Sequence, residues 1–239
     1  MLIGQLIHAS RLCEVMEMLD VVHTFNRIQV HLAPNLPVVS PDASVFAIEA
    51  RHAREFLITE LQKRRFLFIA PERAAYLDQD ALFGKGVFDA FPSARPDIRE
   101  GGNCLAADCG TAAVFHLMRA VEWGLRALCV DLGFRRLRTK NRKTGKVTYM
   151  PLGWTDWETI LNQLKAKVTE RVGKTKRGPK KQLYQEFYYP ALQDIEGIKD
   201  AWRNHVMHTR REYTPKGAGD VFDYVRRLLV NLSSRVSEC

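Results

Sequence analysis

Apolar side chains recur at three- and four-residue steps along residues 111–132, and this stripe limits the fold more than any other pattern in the chain. Its members are Val114, Leu117, Met118, Val121, Leu125, Leu128 and Leu132. The spacing places them on one face of a long α-helix. Thr111 is expected to cap the start of this helix, and Gly133 is a C-terminal signal. Such a helix buries its apolar face against other helices, which favours a helical bundle.

Further helical patterns follow and precede this one in the same half of the chain. A short helix is expected to begin at Asp97, and a longer one at Thr155. Residues 183–202 predict another long helix, which Pro190 should kink or restart. Thr214-Pro215 supplies an N-cap and a proline at the first helical position for a last helix.

Two proline residues suggest a domain boundary within the segment Phe91–Pro96, since they interrupt any helix. We therefore expect a mostly helical region of unassigned role at 1–95 and a helical bundle at 96–239. In the first region, Ser40-Pro41-Asp42 opens a helical stretch, and Leu67–Ile69 predicts a short strand or a buried extended link.

Residues 137–150 interrupt the helical pattern and are typical of a basic β-hairpin that turns at Lys143-Thr144-Gly145-Lys146. The fold class predicted from the whole pattern is therefore all-α. It is an antiparallel helical bundle with an N-terminal helical extension and this minor hairpin.

Composition excludes several classes of protein. No apolar run is long enough to cross a bilayer, and Met1–Ile7 lacks the basic start of a signal peptide. The five cysteines form no pairs at metal-binding spacing, which favours free thiols in a reducing cytoplasm. No metal site is predicted.

The basic charge is concentrated in one segment. Residues 134–181 hold 15 Lys/Arg and 3 Asp/Glu, a local net charge of +12, whereas the whole chain carries +9. This asymmetry suggests an anionic partner, of which nucleic acid is the commonest for a soluble protein. The alternative is a solvated segment whose lysines only maintain solubility.

The seven residues Trp202–His208 combine a permanent cation, a side-chain amide and two imidazoles. Arginine can hold the negative charge of a phosphodiester, and histidine can move a proton near neutral pH. On an unbroken helix Arg203 and His208 would stand about 500° apart around the axis, off a common face. The two side chains can reach the same substrate atom only if the helix breaks or turns between them, or if a second chain supplies half the site. The alternative is that these residues only form a helix end, where basic side chains interact favourably with the negative end of the helix dipole.

The sequence Arg203-Asn204-His205-Val206-Met207-His208 resembles the R-[N/D/H]-x-x-x-H signature of HEPN domains, helical bundles common in bacterial toxin and antiphage systems. The resemblance covers about residues 96–239, with Thr111–Glu122 similar to an early HEPN helix. It implies a HEPN-like bundle and a metal-independent endoribonuclease without a cofactor. It also implies a homodimer in which the motifs of both chains line one cleft.

The resemblance assigns roles to three residues. Arg203 would bind the scissile phosphate and stabilise the charge of the transition state. His208 would take the proton from the ribose 2′-hydroxyl or give one to the leaving 5′-oxygen, and its symmetry-related copy would perform the other task. Asn204 would orient the loop or the phosphate.

Accessory roles are less determined by the sequence. Glu122 could line the cleft or pair with Arg119 or Arg126, and His205 is extra to the signature. His116 is expected to be a satisfied histidine rather than a catalyst. The RNA-binding residues predicted in and after the basic loop at 173–181 are Lys174, Lys176, Arg177, Lys180, Lys181, Tyr188 and Tyr189.

Three functions therefore remain open from the sequence. The first is a cytoplasmic ribonuclease that acts as a toxin or an antiphage effector, with RNA, a second copy and a neutralising antitoxin as partners. The second is a catalytically inactive HEPN-like module that binds RNA or a nucleotide. The third is a protein-interaction module in which the motif is structural.

Overall fold

The computed structural model describes residues 2–32, 43–140, 144–207 and 212–238. The chain divides into two compact units, Met1–Leu67 and Phe68–Cys239. The boundary expected between residues 95 and 96 therefore falls inside the second unit. Phe91 and Ala94, from the proline-rich turn that suggested it, are fully buried in the core of that unit. The prolines do separate two helices, but the turn between them packs into the core of the second unit and does not link two domains.

The first unit is helical, as expected. Its described helices are α1 (Leu2–Val15), α2 (Leu19–Leu32) and α3 (Ala43–Gln62). Met18 and Val21 are central to its small core, and Arg64 Nη2 donates a hydrogen bond of 2.9 Å to the carbonyl of Met16. The predicted helix start at Ser40-Pro41-Asp42 lies outside the described residues.

The segment Leu67–Ile69 is neither a strand nor a buried link, so that prediction is wrong. It has no strand partner among the described residues, and the Phe68 side chain is 82% exposed. A short apolar run has the same local pattern in a buried strand and in an exposed link, because it contains no periodicity that distinguishes them.

The second unit consists of helices and one hairpin, which confirms an all-α fold with a minor β-hairpin. Its elements are α4 (Lys85–Ala90), α5 (Arg95–Ala106), α6 (Gly110–Asp131), β1 (Arg136–Lys140), β2 (Val147–Pro151), α7 (Trp157–Lys174), α8 (Pro179–Leu183), α9 (Tyr189–Ile198), α10 (Asn204–Met207) and α11 (Pro215–Ser233). Short 3-10 helices lie at Pro71–Tyr76, Pro92–Ala94 and Leu152–Trp154. The apolar stripe of α6 is buried at the centre, where α5 and α11 pack against it.

Two predicted helix ends and the hairpin are confirmed. Thr214 Oγ1 accepts a 3.2 Å hydrogen bond from the Gly217 N–H at the start of α11. Gly133, at a φ of +91°, follows the end of α6 in the left-handed region that favours glycine. Strands β1 and β2 are antiparallel, with Arg138 opposite Tyr149.

Three predicted helix starts differ from the structure. Helix α5 begins at Arg95, two residues before the predicted Asp97. Thr111 does not cap α6, because its Oγ1 accepts a 2.9 Å hydrogen bond from the backbone N–H of Tyr213. Helix α7 is capped by Asp156, one residue after the predicted Thr155, and Asp156 Oδ1 accepts a 2.9 Å hydrogen bond from the Thr159 N–H. The partner of Thr111 lies far along the chain, so a local capping rule cannot find it.

A nearly continuous helical segment extends from α8 to α10 and contains two π-helical turns, Tyr184–Tyr188 and Lys199–Arg203. The first turn precedes Pro190, which has no N–H and whose ring crowds the preceding turn of a regular α-helix. Helix α9 begins at Tyr189 with Pro190 in its first turn, as the predicted restart requires. The second π-helical turn ends at Arg203.

Helices α7 and α9 are antiparallel. The hydroxyl oxygens of Thr169 and Tyr189 are 3.1 Å apart near one end of the pair. Near the other end, Lys199 forms an ion pair with Glu158 in the first turn of α7. This alignment sets Arg203 beside the start of α7.

Candidate active site around Arg203

Arg203 is half-buried, and its guanidinium lies over an aromatic ring. Its Cζ lies 5.3 Å from the centroid of the Trp157 ring, and Trp157 is only 2% exposed. Arg203 forms no ion pair with any carboxylate in the described part of the chain. A guanidinium held by a ring face keeps its N–H donors available, because the attraction is to the π-electrons rather than to an acceptor oxygen.

Asp156 contributes the opposite charge near Arg203. Burial alone would raise the pKa of its carboxyl, but the hydrogen bonds from Thr159 and the positive charge of Arg203 lower the pKa overall. The carboxylate is therefore ionised at neutral pH, caps α7 and partly balances Arg203.

Replacing Asp156 with alanine is expected to cost about 1 kcal/mol of unfolding free energy at neutral pH, the usual value of an N-cap. Because the folded-state pKa is lowered, this contribution is present above the unfolded pKa of about 3.9 and is lost as the pH falls through the folded value. Urea denaturation of wild type and Asp156→Ala at pH 7 and at acidic pH measures it. Asp156→Ser keeps the cap and should retain most of the stability at pH 7; equal losses at both pH values would contradict this role.

Lys199 fixes the second π-helical turn to α7, a role that the sequence did not reveal. The lysine is buried and forms ion pairs with Glu158 and, at 3.2 Å, with Asp200. The hydrogen bond to Glu158 is the main cause of a raised pKa for Lys199, against the effect of burial. Since the turn ends at Arg203, this anchor helps to determine where the guanidinium lies.

The residues after Arg203 remain helical. Asn204 and His205 are half-buried in α10, which continues to Met207. His208 lies outside the described residues. The chain therefore stays helical from Arg203 to Met207. A turn of the helix, which would let Arg203 and His208 of one chain reach the same substrate atom, is not present within these residues.

Glu122 has the local partner that the sequence offered as an alternative to a cleft role. It forms an ion pair with Arg126, one turn later on α6. The Arg126 Cζ also lies 4.5 Å from the centroid of the Trp123 ring. The carboxylate is thus occupied by its own helix.

A buried carboxylate on α5 organises the neighbouring face of α6, and the sequence did not single it out. Asp97 is 6% exposed, and its Oδ1 lies 3.1 Å from His116 Nδ1 and 2.8 Å from Arg119 Nε. Arg119, the other partner predicted for Glu122, is therefore paired with Asp97. His116 is a satisfied histidine, as expected.

The basic loop lies at the opposite end of α7 from Arg203. Helix α7 has 18 residues, which at the rise of an α-helix separates its ends by roughly 25 Å. Lys174 forms a 2.6 Å ion pair with Glu170, whereas Lys176, Arg177 and Lys180 are exposed and Lys181 is half-buried. The structure does not bring this loop next to Arg203.

The aromatic residues after the loop are packed in the core. Tyr188 is 8% exposed, and its hydroxyl donates a 2.6 Å hydrogen bond to Asp131 Oδ2. Tyr189 is half-buried and its hydroxyl contacts Thr169. The predicted base stacking requires an open ring face, which Tyr188 lacks.

A cleft between β1 and the start of α7 lies next to Asp156. Its volume is about 570 Å³, and it is lined by Arg138, Thr139, Lys140, Asp156, Glu158, Thr159, Asn162 and Gln163. Asp156 is followed by Trp157, whose ring lies beneath the Arg203 guanidinium, so the cleft lies close to Arg203.

A larger surface cavity of about 1030 Å³ lies along α11. Its lining includes Trp202, Asp220, Asp223, Tyr224 and Arg227. The rings of Trp202 and Tyr224 meet edge to face at 5.1 Å, so this cavity lies beside the residue that precedes Arg203.

The described residues contain no cluster of three or more His, Cys, Asp or Glu side chains arranged to hold a metal ion. Cys13, Cys104, Cys109 and Cys129 are free thiols, and burial raises the pKa of Cys129 to about 12. Cys239 lies outside the described residues. Among the helices described here, none combines the length and apolar character needed to cross a membrane.

Comparisons of the chain with family models, with curated proteins and with solved structures find no match. The resemblance to HEPN domains therefore rests on the signature at 203–208 and on Thr111–Glu122, and of these residues only His208 lies outside the described part of the chain.

Proposed function

We propose that this chain is a metal-independent endoribonuclease in which Arg203, Asn204 and His208 act on one RNA phosphodiester. The observation that carries the proposal is the state of Arg203. The residue is half-buried, its guanidinium lies over the Trp157 ring, and it has no carboxylate ion pair among the described residues. An arginine held in this way can give its N–H donors to a phosphate.

In the proposed reaction, one histidine accepts the proton of the ribose 2′-hydroxyl as the 2′-oxygen attacks phosphorus. The new P–O2′ bond forms while the P–O5′ bond breaks, and a second, protonated histidine gives a proton to the leaving 5′-oxygen. Arg203 stabilises the charge on the non-bridging oxygens, and Asn204 orients the phosphate. The products are a 2′,3′-cyclic phosphate and a 5′-hydroxyl.

The two histidines are the His208 residues of two copies of the chain. Helix α10 continues past Arg203 to Met207, which favours a site that combines Arg203 of one copy with His208 of the other. A homodimer is therefore part of the proposal. The cellular role proposed from the resemblance is that of a toxin or antiphage effector.

Incubation of the purified protein with end-labelled RNA in EDTA tests this function. The expected result is cleavage of RNA to cyclic-phosphate and 5′-hydroxyl ends, with DNA of the same sequence left intact, because DNA lacks the attacking hydroxyl. Cleavage that needs added magnesium, or cleavage of the DNA, would contradict the mechanism. RNA binding without any cleavage would support the inactive module instead.

A further inference from the structure

The outward face of the hairpin combines basic and aromatic side chains. Leu137 is fully buried beneath β1, so the alternate residues Arg136, Arg138 and Lys140 lie on the outer face. Tyr149 stands opposite Arg138 on the same face and is 60% exposed. We call this set of four residues the hairpin platform.

The platform is held firmly against α7. Gln163 Oε1 accepts a 3.2 Å hydrogen bond from the Arg138 N–H, and Gln163 Nε2 donates a 2.9 Å hydrogen bond to the Arg138 carbonyl. Both contacts use the backbone of Arg138, and its side chain forms no hydrogen bond or ion pair with the residues that the structure describes. A rigid support reduces the entropy lost when a ligand binds.

The charges of the platform are not neutralised locally. Arg136, Arg138 and Lys140 form no ion pair with a carboxylate in the described part of the chain, although Arg136 Nη2 donates a 2.9 Å hydrogen bond to the Tyr149 carbonyl. Exposed cations beside an exposed aromatic ring match the backbone and the bases of a single-stranded nucleic acid.

The platform also adjoins the candidate active site. Arg138 and Lys140 line the 570 Å³ cleft together with Asp156, and the next residue, Trp157, carries the Arg203 guanidinium over its ring. The lysine loop, by contrast, lies at the far end of α7, and the tyrosine nearest to its end, Tyr184, is buried.

We infer that the hairpin platform binds single-stranded RNA and guides the strand through the adjacent cleft toward Arg203. Tyr149 stacks on a base, while Arg138 and Lys140 contact phosphates on either side of it. The destination of the strand rests on the proposed ribonuclease function, whereas the binding of RNA to the platform does not.

The platform is tested by measuring the affinity of the protein for a fluorescent RNA oligonucleotide in EDTA at a series of salt concentrations. The RNA carries 2′-O-methyl groups throughout, so it cannot be cleaved by 2′-hydroxyl attack. The double change Arg138→Gln and Lys140→Gln is expected to weaken binding about tenfold and to reduce the log–log salt slope by about 1.4, the value for two single-strand phosphate contacts. Tyr149→Ala should weaken binding about tenfold with little change in slope, since stacking releases no counterions. Tyr149→Phe should bind like wild type.

The matched control removes the same charge from the loop, in the double change Lys176→Gln and Lys180→Gln. The loop variant is expected to bind within about twofold of wild type. Equal losses for the two double variants, or no loss for the hairpin variants, would overturn the inference. The inference would also be overturned if the hairpin variants lost binding to anionic vesicles but kept wild-type binding to RNA, because the platform would then bind a membrane surface.

Cleavage of unmodified RNA by the wild type separates this inference from the proposed function. RNA binding through the platform without cleavage supports the platform and rules out the ribonuclease function. RNA cleavage that the hairpin substitutions leave unchanged supports the ribonuclease function and rules out a role for the platform.

Discussion

Replacing Arg203 with alanine is expected to slow RNA cleavage by roughly two to three orders of magnitude, the usual cost of losing one donor to a charged transition state. The fold should survive, because the described contact of this side chain is the ring face of Trp157, which contributes about 1 kcal/mol. Single-turnover cleavage with saturating enzyme, together with thermal unfolding, measures the two effects separately.

Two further variants make this prediction specific. Arg203→Lys keeps the charge but loses the planar fork, so cleavage should recover only in part. Arg226→Ala removes an exposed arginine from α11 and should leave the rate within about twofold of wild type. A wild-type rate for Arg203→Ala would show that the guanidinium has no part in the chemistry.

Replacing Gly110 with alanine is expected to lower the free energy of unfolding by about 2–3 kcal/mol, because the backbone leaves no room for a methyl group there. A Cβ at this position would lie 2.4 Å from the carbonyl oxygen of Tyr213 and 2.9 Å from that of Thr214. The nearby hydrogen bond from Tyr213 N–H to Thr111 would be strained at the same time. Urea denaturation measures the change.

Gly197→Ala is the matched control for this prediction. Gly197 lies inside α9, and a Cβ there meets nothing within 4 Å. Alanine should therefore stabilise the protein by up to about 1 kcal/mol, through helix propensity alone. If Gly110→Ala were as stable as wild type, the close approach of the 213–214 backbone to α6 would be wrong.

The sequence predicted the elements whose signals are local. The stripe of α6, the Thr214-Pro215 start of α11 and the hairpin all depend on residues a few positions apart, and all three agree with the structure. Helical and strand periods act over short distances, so one sequence is sufficient to read them.

Contacts between distant residues were not predictable in the same way. Thr111 has the correct residue type for a cap, but it binds the backbone of Tyr213. Asp97 is ordinary in the sequence and becomes the shared partner of His116 and Arg119 only when α5 packs on α6. Each outcome depends on tertiary packing, which overrides local preference.

The candidate site shows the same division. The sequence found Arg203 from its motif, but it could not find the Trp157 ring beneath it or the Lys199 anchor before it. The density of lysines indicated the loop as the RNA surface, whereas the exposed ring of Tyr149 and the proximity to Arg203 favour the hairpin. Charge along a chain does not reveal which part of it adjoins a given site.

The central claim is that Arg203 and His208 of two copies share one site, and a mixing experiment tests it most directly. Wild type and His208→Ala are refolded together in equal amounts, and RNA cleavage in EDTA is compared with the same total amount of wild type and of the variant alone. If one site needs His208 of both copies, only the dimers of two wild-type chains are active, about a quarter of the total, so the mixture should show about a quarter of the wild-type rate. Mixed dimers that form but leave about half of the wild-type rate would contradict the shared site, and a wild type that leaves RNA intact would contradict the whole account.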